Sequence, residues 1–157
     1  MTTHTATIEW RRNAAPFLDR RYSRAHEWRF DGGAVVQASS SPQVVRVPLS
    51  NPAYVDPEEA FIAALSSCHM LWFLDLAAAA GYLIEQYSDR AEGRMGRRDG
   101  KEWVESVVLA PVVEFGGTRR PDEEAVRELH HRAHEACFIA NSVRTAVSVA
   151  GSWTFAG

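Results

Sequence analysis

The sequence predicts an α+β fold, and three observations carry that prediction. A largely apolar stretch from Asp56 to Gly81 has helical character and divides the chain. Segments on either side of it alternate polar and apolar residues with the period of strands, and a second helical stripe, Val126, Leu129, Ala133, Cys137 and Ala140, comes later. The expected order is strands, a long core helix, more strands, a second helix and a last strand, with antiparallel sheets around the long helix.

The central helix has the clearest boundaries. Asp56 suits the N-cap, Pro57 the first helical position, Glu59 the third position of a capping box, and Glu58 adds charge that the helix dipole favours. Gly81, after Ala77 to Ala80, can take the left-handed conformation that ends a helix. Phe61, Leu65, Cys68, Trp72 and Ala79 step along one side, while Ile62, Met70, Leu71, Phe73, Leu74 and Leu76 spread apolar character round the rest, which predicts burial on several sides. The length would also suit a membrane span. Ser66, Ser67, His69 and Asp75 interrupt the run and no Lys or Arg flanks it, so a core helix is the better reading.

Ahead of this helix, Thr5 to Trp10 reads as a strand and Arg11 to Arg21 as a loop. His26, Trp28 and Phe30 alternate with Glu27 and Arg29, and Asp31-Gly32-Gly33 turns the chain into Ala34 to Ala38, which makes a hairpin. Val44 to Val47 is expected as a short strand, with Asn51-Pro52 opening the connection to the helix. Beyond Gly81, Tyr82 to Arg97, a turn at Asp99-Gly100 and the valine-rich run Trp103 to Phe115 form a second meander. Gly116-Gly117 ends it. Pro121 to Glu124 starts the second helix, and Thr145 to Phe155 alternates as a closing strand.

Composition narrows the function classes. The chain has 157 residues, 46% hydrophobic and 24% charged, which suits one globular domain spanning residues 1–157. Seventeen Lys and Arg against twenty Asp and Glu leave a formal charge of -3, which argues against nucleic acid and against an anionic membrane surface as partners. The first residues lack the apolar core of a secretory signal, so a cytoplasmic location is expected. In that reducing compartment, two cysteines are more often structural, catalytic or metal-binding than a permanent staple.

Cys68, in SSCHM, and Cys137, in EACFIANS, lie 69 positions apart, each on the apolar side of an expected helix. Taken singly, each suits a small core residue better than a nucleophile. Reactivity of Cys68 needs a cation that favours the thiolate. His69 points about 100° away on a helix, so a loop arginine is the better candidate. His130, His134 and Cys137, at i, i+4 and i+7, would suit a zinc site, but no second ligand cluster or HExxH pattern accompanies them, and a solvated histidine-rich flank including His131 is preferred.

Two stretches, DPEEAFIAALSSCHMLWFL and AHEACFIANSV, resemble in wording and order the paired cysteine motifs of the OsmC/Ohr superfamily, the osmotically inducible and organic hydroperoxide resistance proteins. The resemblance spans about Tyr22 to Val149, and the YSRAHEW, CHMLWFL and CFIANSV wording is closer to a less characterised OsmC-like branch than to either named one. It implies an OsmC-like fold, an intertwined homodimer and a thiol-dependent peroxidase acting on organic hydroperoxides. Cys68 matches the peroxidatic cysteine, Cys137 the resolving one, and Glu58 the glutamate that pairs with a catalytic arginine. Arg24, in YSRAHEWRFDGG, fits that arginine best, with Arg46 as the alternative. Phe61, Trp72 and Phe73 would favour an apolar hydroperoxide over hydrogen peroxide. No metal or organic cofactor is implied, while an external thiol reductant, of the kind a lipoylated protein or a dithiol provides, is. The alternatives are a metal or small-ligand binder using His130, His134 and Cys137, or a structural or regulatory dimer of the same fold.

The homodimer has a geometric motive as well. Glu58 and Cys68 are ten residues apart on one expected helix, about 15 Å along its axis. They cannot meet within one straight helix. If both serve one site, the Glu58 and Arg24 beside a given Cys68 come largely from the partner chain.

Overall fold

The computed structural model describes residues 2–157, which fall into two compact units, one ending at Ala60 and the other spanning Phe61–Gly157. In the first unit β1 (Ala6–Glu9), β2 (His26–Phe30) and β3 (Val35–Ala38) form an antiparallel sheet in that order, with Ile8 opposite Trp28 and Trp28 opposite Val36. The expected hairpin is there: Gly33, at φ 87°, closes the turn by donating its N–H to the Phe30 carbonyl at 3.0 Å. The strand expected at Val44 to Val47 is not. Pro42 and Pro48 cannot donate to a ladder, and the N–H groups of Val44 and Val45 both turn back to the Ser41 carbonyl, at 3.0 and 2.9 Å, so the segment is a series of turns.

The long helix α1 runs unbroken over Pro57–Ala79. Its capping box is reciprocal: the Glu59 N–H donates to Asp56 Oδ1 at 2.8 Å, and the Asp56 N–H donates to Glu59 Oε2 at 3.2 Å. At the far end Gly81 has φ 77°, the Gly81 N–H reaches the Ala78 carbonyl and the Tyr82 N–H the Ala77 carbonyl, both at 2.9 Å, which is a Schellman closure. Arg119 finishes the cap by donating from Nη1 to the Ala80 carbonyl at 2.5 Å.

The second unit holds two three-stranded sheets and the second helix. Strands β4 (Leu83–Asp89), β7 (Pro111–Gly116) and β9 (Ser152–Ala156) make one sheet in the order β4-β7-β9. Strands β5 (Glu92–Arg98), β6 (Lys101–Leu109) and β8 (Ala146–Val149) make the other, in the order β5-β6-β8. Between β7 and β8 in sequence lie α2 (Glu123–Ala136), capped by Asp122 accepting from the Ala125 N–H at 2.8 Å, and a single 3₁₀ turn at Ala140–Ser142.

Two long runs read as single strands are each broken. The valine-rich run divides at Ala110 into β6 and β7, and the closing run divides at Ala150-Gly151 into β8 and β9. The breaks lie side by side, because the Ala150 N–H donates to the Leu109 carbonyl at 2.8 Å, and each chain passes from one sheet to the other there. Gly151 permits that passage: a Cβ on it would stand 2.7 Å from the Pro111 carbonyl oxygen. The sheets are also mixed rather than wholly antiparallel, since β8 runs parallel to β6 and β9 parallel to β7. The α2 crossover returns the chain in the direction that makes those pairings parallel.

Within this unit α1 lies over both sheets. Leu65 packs with Val107 and Leu109 of the β5-β6-β8 sheet, while Phe73 and Ala77 pack with Val113 and Phe115 of the β4-β7-β9 sheet and with Val126, Leu129 and Ala133 of α2. The buried positions of α1 are Leu65, His69, Phe73 and Ala77, one stripe at a spacing of four. The helix was expected to be buried on several sides, but this chain covers only that stripe, and Leu71 stays 60% exposed. By length and composition α1 could cross a membrane. Its buried stripe makes it the core helix of this unit.

Candidate active site

The sulfur pair lies in the second unit. Cys68 is half-buried in the middle of α1, Cys137 is buried, and both are free thiols. The apolar stripe of α2 was expected to carry Cys137 on a helix face. Instead Cys137 is the C-cap, with ψ 111°, because the helix ends at Ala136 and the chain turns into the 3₁₀ segment. This places Cys137 Sγ where the Ala140 N–H donates to it at 3.4 Å. Burial pushes the Cys137 thiol up, the neighbouring Cys68 sulfur adds to the push, and the backbone N–H groups of Ala140 and Ile139 oppose it. The Cys68 sulfur is therefore a neighbour of Cys137 that helps to hold its thiol protonated.

Of the three aromatic residues expected beside Cys68, Trp72 meets the exposed Phe138 edge to face at 5.5 Å. Phe61 packs against the Leu65 cluster, and Phe73 is turned wholly into the core. Phe73 sits five residues beyond Cys68, on the buried stripe, so it does not share the cysteine's side of the helix.

Arg24 and Glu58 are in the first unit, where both line a cavity of about 470 Å³ with Trp10, Phe17, Tyr22 and His26 among its walls. The loop expected at Arg11 to Arg21 contributes an aromatic cluster: Phe17 stacks on Tyr22 at 4.6 Å, and Trp10 meets both rings. The Arg24 guanidinium lies 3.9 Å from the Tyr22 ring centre, and its Nη1 donates to the carbonyls of Arg20, at 2.8 Å, and of Tyr22. The expected fork between Arg24 and Glu58 is not formed here: the loop carbonyls engage Nη1 of the guanidinium, and among the described residues Glu58 makes no salt bridge. Burial pushes the Glu58 carboxyl up, and a hydrogen bond with Asp56 and the charges of Asp56 and Glu59 push the same way. Arg46, the alternative arginine, is exposed in the turn segment and is not among the lining residues.

A histidine pair was missed by the sequence reading. His69 Nε2 and His130 Nδ1 are 3.0 Å apart, the rings stack at 5.4 Å, and His130 also stacks on Phe73 at 4.4 Å. Burial brings both imidazoles down to about 4, with His134 lowering His69 further and Asp89 opposing. The available signal was the spacing Leu65, His69, Phe73, Ala77, which puts His69 on the core stripe. His130 is thus committed to His69, and Cys137 to the helix cap. Among the described residues no group of three or more His, Cys, Asp or Glu is arranged to hold a metal ion.

Residues 50–151 match the family model for OsmC-like protein. The chain belongs to the OsmC-like family, within the OsmC/Ohr superfamily. A solved OsmC-like protein of unknown function from Vibrio cholerae is 54% identical, with a TM-score of 0.94 over 96% of this chain and 99% of that one. An organic hydroperoxide resistance protein from Elizabethkingia anophelis shares the fold at 18% identity and a TM-score of 0.67, covering 99% of this chain and 98% of its own. One from Bacillus subtilis does so at 18% and 0.60, covering 98% of each chain. No curated protein matches the sequence.

Proposed function

We propose that this protein is a cysteine-based peroxidase that reduces organic hydroperoxides, with residues 1–157 acting as one OsmC-like domain. The observation that carries the reading is the adjacency of two free thiols, one half-buried on a helix and one buried at a helix end. In the first step the Cys68 thiolate attacks the distal oxygen of the O–O bond, leaving a Cys68 sulfenic acid and an alkoxide that takes a proton to become an alcohol. In the second, the Cys137 thiol condenses with the sulfenic acid to give a disulfide and water. The protonated state of Cys137 suits a sulfur that waits, and the push from the Cys68 sulfur ends once Cys68 is neutral sulfenic acid. An external dithiol or lipoylated protein then reduces the disulfide.

Arg24 supplies the positive charge for the thiolate and the departing alkoxide, and Glu58 receives the guanidinium fork when the site is assembled. The aromatic cluster of Trp10, Phe17 and Tyr22 beside Arg24 suits an apolar hydroperoxide. The site is built from two chains of a homodimer. Because α1 is unbroken, its Glu58 and Cys68 stand about 15 Å apart along the axis, so a constellation containing both draws them from different copies.

The test is cumene hydroperoxide consumption with a dithiol reductant, with mass spectrometry after one equivalent of peroxide. Wild-type protein should turn over and accumulate the Cys68–Cys137 disulfide. Cys68→Ser should be inactive, and Cys137→Ser should stop at a sulfenic acid. No turnover with any dithiol, or direct conversion of Cys68 to sulfinic acid with Cys137 untouched, overturns the reading.

A further inference from the structure

Three residues of β2 and its entry fix the protonation of one side chain. His26 and Trp28 are two apart on a strand and share a face. The indole Nε1–H of Trp28 donates to His26 Nε2 at 2.9 Å, and His26 Nδ1 lies 2.7 Å from the Arg24 carbonyl oxygen. An indole nitrogen can only donate and a carbonyl oxygen can only accept. Nε2 must therefore carry the lone pair and Nδ1 the proton, so the ring is neutral in one tautomer. That ring clamps the main chain of Arg24 from its carbonyl side, while the Arg24 N–H is held by the Leu49 carbonyl at 2.8 Å. The arginine's backbone is thus pinned on both sides, and the guanidinium's starting point is set by His26.

We propose that His26 is the positioning residue for Arg24, locked in its Nδ1–H form by Trp28, and that protonating His26 releases the lock. This rests on the assignment of Arg24 to the peroxidase reaction. A second proton on Nε2 sets one N–H against another, and the Trp28–His26 bond cannot survive. The ring then either rotates or pushes Trp28 aside, and the grip on Arg24 loosens. The charged groups facing His26 are Arg24 and Glu58 on the cavity side, and Glu9, Arg11, Glu27 and Arg29 on the other. Glu27 and Glu9 are already engaged by Arg29, at 2.5 and 2.9 Å, so neither carboxylate is waiting to receive an imidazolium.

Two amide substitutions separate the halves of the lock. The side-chain amide of Asn overlays Nδ1, so His26→Asn keeps a donor for the Arg24 carbonyl and drops the acceptor for Trp28. The longer amide of Gln overlays Nε2, so His26→Gln does the reverse. His26→Gln should lower kcat/KM for cumene hydroperoxide by about ten- to a hundredfold, the scale of a misplaced catalytic group. It should slow alkylation of Cys68 by iodoacetamide in parallel. His26→Asn should lose less kcat/KM than His26→Gln, since it retains the donor that matters, and its activity relative to wild type should rise as the solution is acidified. Imidazole nitrogen NMR of wild type should show Nδ1 protonated, and Trp28→Phe should yield a tautomer mixture. A wild-type ring protonated at Nε2, or His26→Gln and His26→Asn equal in activity and alkylation rate, overturns the inference while Arg24→Met remains inactive. A fully active Arg24→Met overturns the reading of Arg24 and the role of His26 with it.

Discussion

The two units of the chain are built on opposite economies of apolar surface. In the second unit two clusters of buried side chains, centred on Phe73 with Phe115 and on Leu65 with Val107, tie α1, α2 and both sheets together. Among the described residues of the first unit the longest run of buried positions is Ala38-Ser39, and Ile8, Leu18, Val44 and Val47 are 59%, 94%, 70% and 56% exposed. A three-stranded sheet needs an apolar cover to be stable, and within this unit these side chains are left without one. The uncovered side of α1, with Leu71 and the neighbouring Phe138 exposed, has the same character. The lesson is that the cysteines sit on the part of the chain that completes its own core, while Arg24 and Glu58 sit on the part that does not. A second copy of the chain is the occupant that the proposed two-chain site requires.

The largest effect should come from breaking that division of labour in trans. Cys68→Ser and Glu58→Ala should each be inactive alone. Co-refolded in equal amounts, they should recover roughly a quarter of wild-type turnover, because half of randomly paired dimers are mixed and each mixed dimer holds one intact site of two. Activity that stays at zero with mixed dimers present, shown by native mass spectrometry, would place both residues of a site on one chain. Full activity of a monomer in sedimentation would do the same damage.

Much of the fold was legible because local chemistry and tertiary structure agree. The Asp56-Pro57-Glu59 start, the Gly81 stop, the hairpin at Gly33 and the Asp122 cap need only neighbours in sequence. What was not legible depends on distant partners. The breaks at Ala110 and Ala150 are set by one strand pair crossing between sheets, and the parallel pairings by where the α2 crossover lands. His69 was read as a polar interruption of an apolar helix, because its compensating partner, His130, is 61 residues away. The cysteines and Glu58 stood out through motif wording, whereas the cavity around Arg24 depended on aromatic residues in a segment that reads as plain loop.

The histidine pair gives a pH test confined to the second unit. His69 and His130 fall from an ordinary value of 6.5 to about 4 in the folded protein, so between those values the unfolded chain binds protons that the folded one refuses. Stability is then fully present above about pH 6.5 and is lost as the pH falls toward about 4. Urea unfolding at a series of pH values should show this slope. His130→Asn, which cannot titrate but places an amide oxygen near the Nδ1 position as an acceptor for His69, should make it shallower. An unchanged slope would mean that the acid sensitivity comes from elsewhere in the chain.

The smallest effect separates the two units most finely, because each has a helix start capped by an aspartate with the same bond. Asp122 accepts from the Ala125 N–H at 2.8 Å, and Asp56 accepts from the Glu59 N–H at 2.8 Å. Replacing either by alanine should cost about 1 kcal/mol of stability, the usual worth of such a cap. Their effects on function should differ. Asp122→Ala touches only the start of α2 and should leave kcat/KM near wild type. Asp56→Ala removes both a hydrogen bond and a charge that hold the Glu58 carboxyl up, so Glu58 should ionise at lower pH and offer Arg24 a charged partner over a wider range. The acid limb of the pH profile for peroxide consumption should therefore move to lower pH in Asp56→Ala and stay put in Asp122→Ala. If the two variants lose equal stability and the limb moves in neither, the ionisation of Glu58 does not govern the arginine.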